Sequence, residues 1–351
     1  MSFHHTFTHF CKNIMTKRII YCLCILFLSA CGKDIPVYNT TDQNYSIYLS
    51  DSTGNIARVT MPDARIADNN YYFTVNNDNI NGAVTWMKEF RDNIYLGIPS
   101  QYKVIVINKF SFKKVGQFDF SVSQRIPTDM AFVNATNGYI AHENDSTISL
   151  VDLYTFTVAR SVPSGKNPIA VAAIEQQVFV ACKGDNTVCR IDSRTNSIVA
   201  RYSTPPMPAL LNNIQDDNVA AEKRRLLLVC QGNDAQPASV SLMDINGGIT
   251  GTQNINLAGG KEIPRAVAIT TTDFAFIATQ TSVWRYDIRK PETPRRLSPS
   301  AAQDIYYNIR RNELIVQRTP NLVQIAQSND MKVLSSISTT SPVQALIEIN
   351  D

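Results

Sequence analysis

Histidine is scarce in this chain of 351 residues. Of the four histidines, His4, His5 and His9 precede the first apolar segment, which leaves only His142 in the remainder. This excludes His-rich zinc sites and catalytic arrangements that use more than one imidazole. The sequence also contains no CxxC, no HExxH and no glycine-rich phosphate loop. We therefore expect no metal site, no cofactor and no catalytic residue.

Long apolar segments are lacking as well. The longest apolar-leaning run, Ile19 to Ala30, has twelve residues, whereas a transmembrane helix needs about 20. Because Lys17 and Arg18 precede this run, the pattern predicts a secretory signal peptide over residues 1–30. Met1 and Met15 are both candidate translation starts, and the sequence does not choose between them.

The end of this segment, Leu28-Ser29-Ala30-Cys31, resembles the bacterial lipobox. In that motif the cysteine is acylated, for example with palmitate, and becomes the first residue of the mature protein. The resemblance implies lipidation of Cys31 and a tether over 31–43. It also implies attachment to the bacterial outer membrane, on its periplasmic or its cell-surface side. The alternative is an ordinary signal peptide that happens to contain a cysteine.

Excess charge is absent from the predicted mature chain. The whole sequence has 33 Lys and Arg against 30 Asp and Glu, and the signal segment carries Lys12, Lys17 and Arg18 without an acid. Subtracting these three leaves 30 basic against 30 acidic residues. A neutral chain without basic blocks is poorly suited to the phosphate backbone, so we expect no nucleic-acid partner.

Cysteines are too few for a disulfide framework. Beyond Cys31 the chain contains only Cys182, Cys189 and Cys230. A two-residue hairpin turn at Asp185-Asn186 would place Cys182 opposite Cys189. That pair is then either a cross-strand disulfide or two buried free thiols, and both interpretations stay open.

A repeat of about 40 residues is the strongest positive signal, and such periods indicate propellers or solenoids. The clearest pair starts at 144 and 184. Four residues recur 40 positions later: Asp145, Thr147, Asp152 and Thr155 become Asp185, Thr187, Asp192 and Thr195. An apolar strand marker such as "VFVA" at 178–181 occurs seven times, and proline-containing junctions precede five small apolar segments.

These markers predict an all-β fold, a seven-bladed β-propeller of four-stranded antiparallel blades over residues 44–351. The C-terminal segment from 342 supplies only an inner strand, and the N-terminal segments 45–63 and 69–77 supply outer strands. Joining them would close the ring and remove open sheet edges. Blade 4 departs from the period through insertions at 211–225 and 230–239.

The third repeat resembles the YVTN-type propeller repeat of surface-layer and YncE-like proteins. The resemblance rests on Pro168, "VFVAC" at 178–182, "DNTVCRID" at 185–192 and Thr195-Asn196. Leader, length and repeat type also resemble, more weakly, the lipidated Bacteroidetes propellers that capture vitamin B12. That second resemblance implies cooperation with a TonB-dependent transporter.

Propeller ligands usually bind at one end of the ring. Two sets of loops should meet there: those that lead into the inner strands and the hairpins after the "VFVA"-type strands. The predicted ligand-binding residues are Trp86, Tyr102, Arg125, His142, Glu143, Lys166, Lys183, Lys261 and Arg265. The alternative is a solvated rim of mixed charge.

The favoured function is a non-enzymatic envelope lipoprotein whose propeller face binds a small-molecule nutrient or a partner protein. One alternative is a protein–protein assembly module of the outer membrane. Another is a propeller lactonase- or lyase-like enzyme, for which Asp129, Glu262 and Asp304 would be the acids near the inner strands.

Overall fold

Short strands rich in β-branched and aromatic residues make up the described part of the chain. The computed structural model describes residues 44–214, 224–246, 248–255, 262–270 and 273–350. The predicted signal peptide, Cys31 and the whole of the tether over 31–43 lie outside these residues. Within them, no helix is long and apolar enough to span a membrane.

The elements follow one another in blades. The first strands are β1 (Tyr45–Asp51), β2 (Ile56–Met61) and β3 (Arg65–Asp68), followed by helix α1 (Tyr71–Asn76). Blade 1 has β4 (Trp86–Phe90), β5 (Asn93–Ile98), a 3-10 turn at Pro99–Gln101, β6 (Lys103–Asn108) and β7 (Lys114–Asp119). Blade 2 has β8 (Pro127–Phe132), β9 (Asn137–His142), β10 (Thr147–Asp152) and β11 (Thr157–Pro163). Blade 3 has β12 (Pro168–Ile174), β13 (Gln177–Cys182), β14 (Thr187–Asp192) and β15 (Ser197–Ser203).

The remaining blades repeat this order. Blade 4 has β16 (Pro208–Ile214), β17 (Arg225–Cys230), β18 (Ser239–Asp244) and β19 (Gly248–Asn254). Blade 5 has β20 (Pro264–Ile269), β21 (Phe274–Thr279), β22 (Val283–Asp287) and β23 (Arg295–Ser298). Blade 6 has β24 (Asp304–Asn308), β25 (Glu313–Thr319), β26 (Leu322–Gln327) and β27 (Val333–Ser338). The last strand is β28 (Val343–Asn350).

The seven sheets confirm the predicted propeller and its closure. Strand β28 pairs antiparallel with β1, from Tyr45↔Asn350 to Asp51↔Val343, and blade 7 has the order β28-β1-β2-β3. The inner strand of blade 7 is therefore β28. In blades 1 to 6 the inner strand is the first of the four strands along the chain. We call the end of the ring at which the inner strands begin the upper face, and the end at which they finish the lower face.

The core is divided among the blade interfaces. Seven apolar clusters occur in the described residues, and each joins side chains of two neighbouring blades. The second strands are therefore buried on both sides, as in the fully buried Val178 to Cys182 of β13. This explains why the "VFVA"-type marker is a continuous apolar run rather than an alternating one.

Polar residues shared by successive repeats form the turns of the lower face. The Oδ1 atom of Asp152 accepts hydrogen bonds from the backbone N–H groups of Tyr154 and Thr155, both at 2.8 Å. Asp192, 40 positions later, accepts from the N–H of Arg194 at 2.8 Å. Asp192 in the polar segment 184–202 therefore stabilises a turn of the repeat.

The prediction of an outer strand over residues 69–77 was wrong, because residues 71–76 form α1. The side chain of Asn70 accepts a hydrogen bond from the N–H of Phe73, and Asn77 ends the helix with a left-handed φ of 51°. The fourth and outermost strand of blade 7 is instead β3.

A buried carboxyl group lies on the closing strand. Glu348 is 3% exposed, and its Oε2 atom has no hydrogen-bond partner in the described part of the protein. Burial raises the pKa of Glu348 to about 7, while a hydrogen bond from Asn308 and the charge of Arg311 oppose the rise. Ionising this carboxyl group therefore costs the folded state free energy.

We predict that Glu348→Gln stabilises the protein in a pH-dependent way. The folded pKa is higher than the unfolded one, so wild type loses stability as pH rises from about 4.5 through 7. The variant should gain roughly 3 kcal/mol relative to wild type between pH 4 and pH 9. Urea unfolding at both pH values measures the gain. The exposed Glu292→Gln is the matched control. An equal offset at both pH values would contradict the assignment.

Candidate functional site

The inner strands surround a central cavity of about 670 Å³. It is lined by the first residues of all seven inner strands and so lies toward the upper face. The lining comprises residues 85–88, 128–129, 169–170, 209–212, 265–267, 303–306 and 344–346, together with Pro99 and Glu143. Cavities of this size and this mixed polar and apolar lining accommodate small organic ligands.

Three of the nine predicted ligand-binding residues line this cavity, and Trp86 is the most constrained of them. Its indole Nε1 donates a hydrogen bond to the carbonyl oxygen of Pro127 at 3.2 Å. The ring lies against Gly97, where an added Cβ would come within 1.9 Å of its Cε2 atom. The glycine that ends the strand marker "IYLG" thus makes room for the tryptophan, which forms a fixed wall.

Glu143 and Arg265 also line the cavity and are exposed. Neither side chain has a hydrogen bond or ion pair to another described residue. A ligand that carries both a hydrogen-bond donor and an acidic or amide group could therefore bind them without displacing a protein partner.

Lys88 and Asp129 form an ion pair in the cavity wall, with Nζ 2.5 Å from Oδ1. Lys88 also donates to the carbonyl oxygen of Met130 at 2.8 Å. The Oδ2 atom of Asp129 accepts from the N–H of Val171 on the inner strand of the next blade, at 2.9 Å. The pair thereby connects three consecutive inner strands.

Asp304 repeats this role on the other side of the ring. Its carboxylate accepts hydrogen bonds from the N–H groups of Ile305 and, across the blade interface, Leu346. Burial raises its pKa to about 6, and these two hydrogen bonds oppose the rise. Asp129 and Asp304, two of the three acids that the sequence placed near the inner strands, therefore accept hydrogen bonds from backbone N–H groups of the inner strands. The third, Glu262, is buried and accepts from the hydroxyl of Thr281 at 2.6 Å.

Four predicted residues lie in upper-face loops but outside the cavity wall. Arg125 is occupied by Asp145, at 2.7 Å from its Nε atom. Tyr102 ends the turn before β6 with a φ of 57° and packs against the apolar cluster between blades 1 and 2. Lys166 is exposed and Lys183 half-buried, in neighbouring loops joined by backbone hydrogen bonds. Lys261 lies outside the described residues.

The placement of His142 on the binding face was wrong. The side chain is fully buried at the end of β9, where it packs edge-on against Phe120 and its Nε2 atom lies 2.8 Å from the Ser149 hydroxyl. Burial and the nearby charge of Arg125 lower its pKa to about 4. The second strand of a blade is buried on both sides, so its last residue does not reach the surface.

The expected hairpin geometry of the two cysteines also needs correction. Cys182 is opposite Thr187 and Cys189 is opposite Val180, so the two cysteines are diagonal neighbours across a four-residue turn. Both are buried free thiols with the sulfur atoms 3.8 Å apart. The guanidinium of Arg201 donates to the Sγ atom of Cys189 at 2.9 Å. The hydrogen bond with Cys182 and this charge lower the pKa of Cys189, against the effect of burial.

Sequence reasoning missed several cavity residues, notably Lys88, Leu210, Tyr306 and Gln344. All lie within the first three residues of an inner strand. The proline-containing junctions had located the strands of Leu210 and Gln344, but not those of Lys88 and Tyr306. At the lower end, a second chamber of about 400 Å³ continues from Asn212, Val267 and Tyr306 with no charged residue in its described lining. Among the residues the structure describes, no group of three or more His, Cys, Asp or Glu side chains could hold a metal ion.

We predict that Cys182 and Cys189 are both reduced in the purified protein. Unfolding in an alkylating reagent without reductant should modify Cys182, Cys189 and Cys230 to the same extent, as peptide mass spectrometry would show. Cys230, which is also buried, serves as the internal control. Alkylation of Cys230 alone would show that the diagonal pair forms a disulfide.

Comparison with solved structures supports the fold alone, because the sequence identities are low. Hydrazine synthase of Kuenenia stuttgartiensis matches with a TM-score of 0.64 and 13% identity, over 76% of this chain and 95% of that chain. The computationally designed Ika8 protein matches with a TM-score of 0.59 and 13% identity, over 86% of each chain. The WD40 repeats of RRP9 match with a TM-score of 0.62 and 12% identity, over 78% of this chain and 85% of that chain.

No curated protein matches the sequence significantly. The family described as "Domain of unknown function (DUF5074)" matches residues 35–343, which is most of the chain. The protein therefore belongs to the DUF5074 family, as a seven-bladed β-propeller.

Proposed function

We propose that the protein is a non-enzymatic lipoprotein of the bacterial outer membrane that uses its upper face to bind a small-molecule nutrient or a partner protein. Lipidation of Cys31 would hold it at the membrane. A TonB-dependent transporter is the partner that the resemblance to vitamin B12-capturing propellers implies.

The central cavity is the observation that carries this proposal. Its volume of about 670 Å³ lies within the range of roughly 300–1,000 Å³ found for small-molecule sites. Trp86 and the Lys88–Asp129 pair are held in place by hydrogen bonds, whereas Glu143 and Arg265 are exposed at the same cavity. A rigid wall with two available charged groups suits binding, because little side-chain entropy is lost in ordering the wall.

The roles of Asp129, Asp304 and His142 favour binding over catalysis. Asp129 and Asp304 accept backbone hydrogen bonds from neighbouring inner strands. His142 is buried away from the cavity. General acid–base chemistry needs a titratable group within hydrogen-bond reach of the substrate, and each of these three side chains already has a structural role.

A protein–protein assembly module is the second candidate, and the long upper hairpin of blade 4 favours it. Residues 231–238 connect β17 and β18, where the corresponding connection in blade 3 has only four residues, 183–186. Its backbone is ordered internally by the Asn233 N–H donating to the carbonyl oxygen of Gln236 at 2.8 Å. Long loops on a propeller face commonly contact other molecules.

Native mass spectrometry and absorbance of the protein purified from its own membrane test the proposal. We expect a bound small molecule, and Arg265→Ala should weaken its binding about tenfold through loss of a charge-assisted hydrogen bond. Lys166→Ala, an exposed change on the same face but outside the cavity wall, is the matched control and should leave binding unchanged.

The outcomes separate the candidates. A corrinoid absorbance spectrum would identify the vitamin B12 subclass. An empty cavity together with co-purification of an outer-membrane receptor would support the assembly module. A bound molecule that is chemically converted on incubation would contradict the non-enzymatic assignment.

A further inference from the structure

Exposed apolar side chains are concentrated at the lower face. Eight of the ten exposed large hydrophobic residues in the described part of the protein lie in lower-face turns or within the first three residues of an outermost strand, which starts there. We define the lower apolar arc by six of them: Phe110, Val115, Tyr154, Val158, Ile309 and Leu334. Their fractional exposure reaches 84% for Tyr154, 71% for Phe110 and 56% for Ile309.

The upper face differs clearly. Val122, between β7 and β8, is the one upper-face residue among these ten, and Phe73 lies on α1. Scattered exposed apolar residues need no explanation, but their accumulation at one end of the ring indicates a contact surface. The residues of the arc belong to blades 6, 1 and 2. Blade 7 lies between blades 6 and 1 and contributes no residue to the arc.

The point at which the chain enters the propeller lies in the same place. Strand β1 begins at Tyr45, which pairs with Asn350 at the lower end of β28. The residues from Cys31 to Tyr45 therefore lead to the lower end of blade 7. A segment of this length reaches at most about 50 Å. The tether alone would permit either face to approach the membrane, so the surface chemistry of the ring must choose between them.

We propose that the lower apolar arc rests on the lipid surface of the membrane that holds Cys31. The inference depends on the lipid anchor of the proposed function and adds an orientation to it. Exposed apolar side chains gain free energy when they enter the boundary between headgroups and acyl chains, and a tyrosine places its hydroxyl at the headgroup level.

The surroundings of Phe110 fit this arrangement. The ammonium group of Lys109 lies 5.0 Å from the ring centroid of Phe110 and 2.7 Å from a carboxylate oxygen of Glu89. Charged groups next to an apolar tip match an interface whose headgroup layer is polar and whose interior is not. In this orientation the central cavity opens away from the membrane, toward incoming ligand.

Lipid quenching of site-specific fluorophores tests the orientation. The full lipidated chain carrying Tyr154→Cys is labelled and reconstituted in vesicles of phosphatidylcholine and phosphatidylethanolamine with nitroxide groups at headgroup depth. Cys182, Cys189 and Cys230 are buried and should not react in the folded protein. Quenching of the label at 154 should exceed that of a label on Val122→Cys several-fold, because Val122 is fully exposed on the opposite face.

A double variant, Phe110→Ser with Ile309→Ser, should reduce quenching at 154 without changing the melting temperature, because both side chains are exposed. Equal quenching at 154 and 122 would overturn the orientation. So would a label at 154 that becomes protected only when other envelope proteins are added, since the arc would then be a protein interface. The intact mass of the purified chain shows whether acyl groups are attached. If they are missing, the proposed lipid anchor is wrong, and so is the orientation that depends on it.

Discussion

The pairing of β28 with β1 is the interaction on which the remainder of the structure depends. Blade 7 has no inner strand until the C-terminal segment pairs with Tyr45 to Asp51. Two of the seven apolar clusters also need β28, because Ile347 and Ile349 complete the cluster with blade 1 while Val343 and Leu346 complete the cluster with blade 6. Each blade buries its two faces only against neighbours, so an open ring would expose two sheet faces at once.

Closure also creates the cavity. Each inner strand has one edge without a strand partner, and its backbone groups must be satisfied by other means. In this protein, side chains of one inner strand reach backbone groups of the next: Trp86 to Pro127, Asp129 to Val171 and Asp304 to Leu346. The same side chains that hold the ring together form the rigid part of the cavity wall, whereas Glu143 and Arg265 are available to a ligand. The contacts that join the inner strands therefore also fix the wall of the proposed binding cavity.

The repeat made the fold predictable, because turn residues such as Asp152 and Asp192 and the buried second strands recur at a fixed spacing. The errors arose where neighbouring blades decide the outcome. His142 is buried since two blades enclose the strand that carries it, and no local pattern reveals this. Residues 71–76 form a helix because Tyr71 and Tyr72 pack into the interface between blades 7 and 1, although β-propensity favours a strand. Lys88 and Tyr306 line the cavity because the ring brings the first residues of all seven inner strands together. The spacing of the repeats does not show which side chains of those strands face the centre.

Hydrogen exchange under native conditions tests the central claim, that closure by β28 is part of the global cooperative unit. Amides of β1 and β28 that are paired across the seam should exchange with the same free energy of opening as the middle strands of blades 2 and 3, so that they are released only by global unfolding. Exchange of the seam amides at a markedly lower free energy, with blades 2 and 3 still protected, would show that the ring is stable without its closing strand and would contradict the account.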